Sequence, residues 1–339
     1  MKAQLRAGVL IVVLISATPA LAETGGASWL SVGGLAFGDV YHLPSHHLES
    51  GDGATGAVLR RGYLTFDADG GGRWDGRLRF ELNQSGAFET YDMELDIKDL
   101  WVGTDLGSQR LVLGLSPTPT FATIESLWGK RYLMRTPMDL QGVASRDTGV
   151  SISGPLGSSG ALSYHAMVGS GIEFGAEAGD GRKLMVAVDW QLTERWLAQL
   201  YLDEERLAGP TDRTTVQGFL AYQGEGWRWG AQYSDQDREE DPPLRLSSTF
   251  VVKSLGGPRQ AIGRIDRIHE PSPRGDNISY IPFDPTAPAT LFLAGVEFAL
   301  SERVSITPNV VIVDYDRRED GSSPETDVYL RLTAFFNYE

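Results

Sequence analysis

Cysteine is absent from the 339 residues. That excludes a disulfide scaffold, a thiolate zinc centre and a cysteine nucleophile. Long apolar runs are also missing. With 22% charged residues and a mean hydropathy of −0.19, the chain is not a bundle of transmembrane helices. Positive charge is scarce: 30 Lys and Arg face 45 Asp and Glu, a net charge of −15. General nucleic-acid binding depends on neutralising phosphates, so no nucleic-acid partner is expected. Hydrophobic residues still make up 41%, which sets the chain apart from disordered ones.

The first residues set the compartment. Lys2 and Arg6 form a positive n-region, Gly8 to Ala17 is a short apolar stretch, and Ala20-Leu21-Ala22 is a small-x-small cleavage site. The apolar stretch is shorter than the about 20 residues that span a bilayer. Residues 1–22 therefore read as a signal peptide, and 23–339 as one exported domain. Loss of Lys2 and Arg6 takes the 30 bases to 28 and the net charge from −15 to −17.

The exported part alternates apolar and polar residues with period two. In 73–83, Trp74, Leu78, Phe80 and Leu82 fall on one face, and Arg73, Asp75, Arg77, Arg79, Glu81 and Asn83 on the other. Side chains of a strand alternate between faces, so this is a strand with one apolar and one strongly polar side. The same reading gives sixteen strands, near 28–40, 58–68, 73–85, 94–105, 109–116, 147–155, 161–170, 182–192, 195–204, 214–223, 227–235, 246–255, 259–269, 290–300, 303–315 and 326–338. In the fourth, Asp99 falls in phase with Leu95, Ile97 and Trp101.

The connections alternate long and short. The short ones, such as 69–72, 106–108, 193–194 and 301–302, carry the Gly, Ser and Asp of hairpin turns. The long ones include 41–57, 117–146, 270–289 and 316–325. This asymmetry and strands of about 9–11 residues are expected of an outer-membrane β-barrel. In hydrocarbon such a sheet must close to satisfy its backbone. Trp74, Trp101, Trp190, Trp196, Trp227 and Trp229 lie near strand ends and are expected in the interfacial girdles. The alternative is a secreted β-sandwich or propeller with the apolar faces packed inward.

Connection 117–146 is the longest. Unstructured loops of that length are usually functional. Residues 123–134 suit a helical turn or two, with Ile124, Leu127 and Trp128 on one side. Lys130, Arg131 and Arg135 supply positive charge, and Glu125 and Asp139 negative. Folded inward, this segment would narrow a wide barrel.

Several motifs here occur in a family-like order. They are Pro117-Thr118-Pro119-Thr120-Phe121, Leu127-Trp128-Gly129, Thr136-Pro137 and Ser145-Arg146-Asp147-Thr148-Gly149-Val150. Arg60-Arg61-Gly62-Tyr63-Leu64 and Ile97-Lys98-Asp99-Leu100-Trp101-Val102-Gly103 precede them. Together they resemble the phosphate-selective porins of the O and P type, most clearly over 58–155. The resemblance implies a sixteen-stranded outer-membrane channel, commonly a homotrimer, with the third loop folded into the lumen. The chain departs from that family in its excess of acid and in ending on Glu339 after Phe335-Phe336-Asn337-Tyr338.

The polar faces place Arg61, Arg73, Arg77, Arg79 and Lys98 on one wall, joined by Arg331 from the last strand. Glu81, Asp75 and Asp96 face them. With Lys130, Arg131 and Arg135 these residues are the expected pore lining and constriction, and a weak anion preference or little selectivity follows. His42, His46 and His47 with Glu49 and Asp52 include metal-ligating types, but without a second cluster they read as solvated surface. His165 and His269 have no neighbouring Ser or Asp, so no hydrolase is expected. No metal or cofactor is implied. The expected function is passive diffusion of small hydrophilic solutes or ions across an outer membrane, with membrane lipid and a homotrimer as partners. The rival is a β-rich binding or adhesion protein without an open pore.

Overall fold

The computed structural model describes residues 29–84, 93–143, 145–171, 181–206, 212–239, 241–272, 274–318 and 320–338. The expected signal peptide lies outside them. Sixteen strands form: β1 Leu30–Ser45, β2 Thr55–Asp69, β3 Trp74–Gln84, β4 Met93–Leu106, β5 Gln109–Pro117, β6 Arg146–Leu156, β7 Leu162–Gly169 and β8 Arg182–Gln191. Then come β9 Trp196–Arg206, β10 Arg213–Gly224, β11 Trp227–Asp237, β12 Leu244–Ser254, β13 Arg259–Ile268, β14 Ala289–Ala299, β15 Val304–Tyr315 and β16 Asp327–Asn337. Each pairs antiparallel with its sequence neighbours, and β1 pairs with β16 to close the barrel. Closure leaves no unpaired edge.

The barrel is inside out relative to a water-soluble β-protein. On β9, Leu200 and Leu202 are exposed while Tyr201 and Asp203 are buried; on β16, Leu330 and Leu332 are exposed while Arg331 and Thr333 are buried. The apolar set covers the outer surface and the polar set turns inward. Trp74, Trp190, Trp196 and Trp227 are exposed near strand ends, as expected of girdle residues. Trp229 is half-buried against Trp196, and Trp101 turns the other way. It lies directly opposite Arg77, on the inward face, within 6.0 Å of the Arg77 guanidinium and 5.8 Å of that of Arg110.

Two register shifts explain this and much of the site. Between β3 and β4, Arg79 pairs with Asp99 and Phe80 with Ile97, so Lys98 is the extra residue of a bulge. A bulge puts two residues opposite one and changes the phase of the strand. Lys98 and Asp99 therefore both serve the inward face, and Trp101 follows them there. Between β1 and β2, Phe37 pairs with Arg61 and Gly38 with Leu59. Arg60 is the extra residue, and two consecutive arginines are buried side by side.

The inward face is not polar all round. Leu244, Leu246, Phe250 and Val252 of β12, Ile262 and Ile268 of β13, and Leu291 and Leu293 of β14 are buried. They form one apolar cluster with Ile124, Trp128, Leu133, Met134 and Met138 of connection 117–146 and with Ile278, Tyr280, Ile281 and Phe283 of connection 269–288. Several of these side chains have almost no exposed surface, and burying a Leu, Ile or Phe contributes about 1.5–3 kcal/mol. That packing fixes both connections against β10–β16.

Candidate functional site

Connection 117–146 carries two helices, α1 Pro119–Trp128 and α2 Pro137–Leu140. Pro119 and Pro137 each sit in the first turn, where the missing N–H costs nothing. Gly129 ends α1 in the left-handed region at φ 58°, and its N–H donates to Glu125 O at 2.8 Å. A Cβ there would come within 3.1 Å of Arg228, whose guanidinium donates to Trp128 O.

Wall side chains bind this connection around most of the barrel. Arg60 of β2 donates to Leu133 O at 3.3 Å and to Tyr132 O. Arg331 of β16 also donates to Leu133 O at 3.3 Å. Arg264 of β13 donates to Arg135 O at 2.6 Å, and Gln217 of β10 to Thr120 O at 3.5 Å. Thr123 donates to Asp189 of β8 at 3.1 Å, while Lys130 pairs with Glu297 of β14 at 2.8 Å.

The charged groups form short chains of ion pairs. Arg61 pairs with Glu81 at 2.7 Å, and Lys98 shares that carboxylate at 3.2 Å. Arg79 and Arg146 share Asp99, at 3.2 Å and 2.5 Å. Arg60 pairs with Asp39 at 2.8 Å. Arg131 reaches Asp139 at 2.5 Å and Glu125 at 3.3 Å. Arg264 pairs with Asp266 at 2.6 Å. Arg135 and Arg331 have no carboxylate within ion-pair distance among the described residues. Arg135 lies over the Tyr280 ring at 5.6 Å, and Arg331 donates to Asn309 Oδ1 at 3.0 Å. Across these named groups, ten cations meet seven carboxylates, an excess of three positive charges inside a chain whose net charge is −15.

Burial and neighbours set the ionisation of the connection's own groups. Burial opposes ionisation of Asp139, but Arg131 and Arg135 outweigh it and hold the carboxyl well below its ordinary value. Burial dominates at Glu125 and pushes its carboxyl up, against the pull of Arg131. Burial also lowers Lys130, against Glu297. Tyr280 is opposed by burial yet lowered, because Arg135, Arg61, Arg60 and Arg131 surround it. It adopts φ 54°, a backbone region costly for a bulky residue. Its ring centroid lies 5.0 Å from the Arg60 guanidinium and 5.6 Å from that of Arg135.

Solved structures share this architecture. The anion-selective porin of Comamonas acidovorans matches at 13% identity and a TM-score of 0.65, over 91% of this chain and 99% of that one. OmpT of Vibrio cholerae, in a trimer form, matches at 11% and 0.60, over 91% and 99%. The chain has a porin fold. A triple mutant of the Rhodopseudomonas blastica porin also matches, at 12% and 0.56, over 91% and 100%. No family model matches the chain, and no curated protein sequence does.

Of the ten site residues expected from sequence, Arg61, Arg79, Glu81, Lys98, Lys130, Arg131, Arg135 and Arg331 join this linked set of charges and loop contacts. Arg77 stands nearer the β2–β3 turn and pairs with Asp67 at 2.6 Å, both partly exposed. Arg73 is a correction: it lies in the turn before Trp74, where the chain has not yet entered β3, and is exposed. Sequence reading missed Arg60, whose inward position depends on the bulge, and Tyr280, which belongs to a connection without periodicity. Glu297 was missed as well, although it stands as a lone acid among apolar residues in β14. A further correction concerns the first loop: His46 is buried rather than solvated. His269 gains a partner in Ser247, 2.9 Å away at the exposed rim, but among the described residues no carboxylate pairs with its ring.

Proposed function

We propose that this barrel is an outer-membrane channel for passive diffusion of small hydrophilic solutes and ions, with a weak preference for anions. The supporting observation is the combination of an apolar outer surface on a closed barrel with an inward cluster carrying three excess positive charges. A closed barrel whose outside is apolar suits hydrocarbon, where backbone groups must be satisfied internally. Residues 117–146 fold into the lumen and narrow it, a reading supported by their bonds to β2, β8, β10, β13, β14 and β16. Selection then comes from pore width and from the field of Arg60, Arg61, Arg79, Lys98, Arg135 and Arg331. Phosphate is a candidate solute through the resemblance over 58–155, and the chain is exported by cleavage after Ala22. Homotrimeric assembly is supported by the trimer form of the Vibrio cholerae relative.

The test is single-channel recording of refolded 23–339 in a planar bilayer, with reversal potential in a KCl gradient and added phosphate as competitor. Stable ohmic steps with anion-directed reversal are expected. Folded, heat-modifiable protein without conductance would overturn the channel reading, and strong cation selectivity would overturn the role given to the arginines. Light scattering of the detergent-solubilised protein reports the trimer.

A further inference from the structure

At the end of the barrel where β1 and β16 close the sheet, the ladder is irregular between His42 and Ser45 and stops at Ser45 and Val328. Beyond that point side chains take over. The Asp327 carboxylate, fully buried, accepts from the His47 backbone N–H at 2.6 Å, from His47 Nδ1 at 2.8 Å and from the Tyr315 hydroxyl at 2.6 Å. The His46 ring stacks on that of His47, with centroids 4.6 Å apart and an interplanar angle of 22°. Its Nδ1 lies 3.9 Å from Asp327 and its Nε2 3.0 Å from the Tyr329 hydroxyl. The Asp284 N–H donates to the Tyr315 hydroxyl, which ties in connection 269–288.

Two imidazoles and a carboxylate within 4.8 Å invite a metal reading. The hydrogen bonds argue against it. His46 Nδ1 is taken up by the Leu48 N–H at 2.9 Å, and His47 Nδ1 faces the Asp327 carboxylate at 2.8 Å.

The proton inventory is more informative. A backbone N–H can only donate, so the 2.9 Å bond from Leu48 N to His46 Nδ1 fixes a lone pair on Nδ1. His46 is therefore neutral, with its proton on Nε2 facing Tyr329. The only place for a further proton is Nδ1. There it would meet the Leu48 N–H and break the bond that folds the loop onto His46. No Lys or Arg pairs with Asp327 among the described residues. The Asp327 carboxylate already accepts from His47 and from Tyr315, so it is not free to compensate a proton added to His46. The other charged groups facing the pair do not relieve it. Asp284 is already paired with Arg318 at 2.9 Å, Asp52 acts from the exposed loop tip, and Glu325 accepts from Ser45.

We propose that His46, His47 and Asp327 form an acid-released clasp, which holds the loop 46–54 on the β1–β16 seam at neutral pH and lets it go when His46 is protonated. Burial, opposed by Asp327 and reinforced by His47, holds the His46 imidazole below its ordinary value of 6.5. The released loop takes up the proton more readily than the clasped one. Clasp stability therefore falls as pH drops below 6.5 and is greatest above it.

The absence of cysteine allows a single reporter at the exposed Ser50. S50C carrying a spin label, refolded in detergent, is titrated from pH 8 to 4.5. The label is expected to pass from restricted to mobile with a midpoint below 6.5. In S50C/H46N, whose amide oxygen replaces Nδ1 as acceptor for Leu48 N–H, the transition is expected to vanish with the label restricted throughout. A label indifferent to pH, or a transition unchanged by H46N, overturns the clasp. As a readout independent of the variant, the His46 ring resonance should titrate with the label's midpoint. Titration at 6.5 or above, apart from the label, overturns it equally. The readout is loop mobility, so it stands or falls separately from conduction.

Discussion

Arg135 is the most informative single charge to remove. It projects from the connection that we place in the lumen, and no described carboxylate lies within ion-pair distance of it. Its removal leaves no buried acid orphaned. A monovalent ion passing about 7 Å from that charge feels about 0.6 kcal/mol in a water-like dielectric. At 0.1 M salt the Debye length is about 10 Å, which cuts this to roughly 0.3 kcal/mol. The sign is opposite for anion and cation, so R135Q should lower the anion-to-cation permeability ratio by roughly threefold, from a difference of about 0.6 kcal/mol. The lower dielectric near a narrow wall would enlarge the effect. Reversal potentials in a KCl gradient measure it. R77Q is the control, because Arg77 is paired with Asp67 and stands apart from the cluster; it should leave the ratio nearly unchanged. An unchanged ratio in R135Q, or an equal fall in R77Q, would refute the account of the field.

Three further predictions concern what holds the connection in place. R60M removes the cation opposite buried Asp39 together with two bonds to the carbonyls of Tyr132 and Leu133. Breaking a buried pair this way costs about 3–5 kcal/mol, and open-channel noise should rise while D39N/R60M recovers part of the loss in the denaturation midpoint. F250A opens a cavity beside Trp128, whose ring centroid is 5.2 Å from that of Phe250; a loss of about 3–5 kcal/mol is expected for such a truncation, read as a lower heat-modification temperature and faster trypsin cleavage after Lys130 and Arg131. D139N tests the carboxyl that Arg131 and Arg135 hold below its ordinary 3.8. A depressed value contributes stability that is complete above 3.8 and is lost only as pH falls through the lower folded value, so the midpoint gap between D139N and the parent should be equal at pH 7 and 5 and narrow only below about 3.8.

The alternation that revealed the barrel also marks where sequence reading stops. β9 and β16 were plain because one face meets apolar surroundings and the other polar ones, so burial and hydropathy have the same period. β12 and β13 depart from that pattern for a physical reason. On β12 the inward residues Leu244, Leu246, Phe250 and Val252 are apolar while Arg245, Ser247, Thr249 and Lys253 turn outward, and on β13 the inward face mixes Ile262 and Ile268 with Arg264 and Asp266, because that wall packs against residues of two connections. The period of two survives there, but hydropathy no longer says which face is inward. The charged cluster was half legible. Arg61, Arg79 and Glu81 follow from parity, but parity fails after an inserted residue. The misphased Asp99 was the visible trace of the bulge at Lys98, and it carried the information that Trp101 turns inward. At Arg60 no such trace existed, since two arginines in a row satisfy either phase. Tyr280 and the His46–Asp327 cluster join segments hundreds of residues apart or lacking any period, so only the closure of β1 on β16 and the packing of connection 269–288 could reveal them. Arg60, Lys98 and the strained Tyr280 thus sit where the regular ladder is interrupted. A bulge is how a strand adds a side chain to its inward face without lengthening the barrel, and here both inner bulges add a cation.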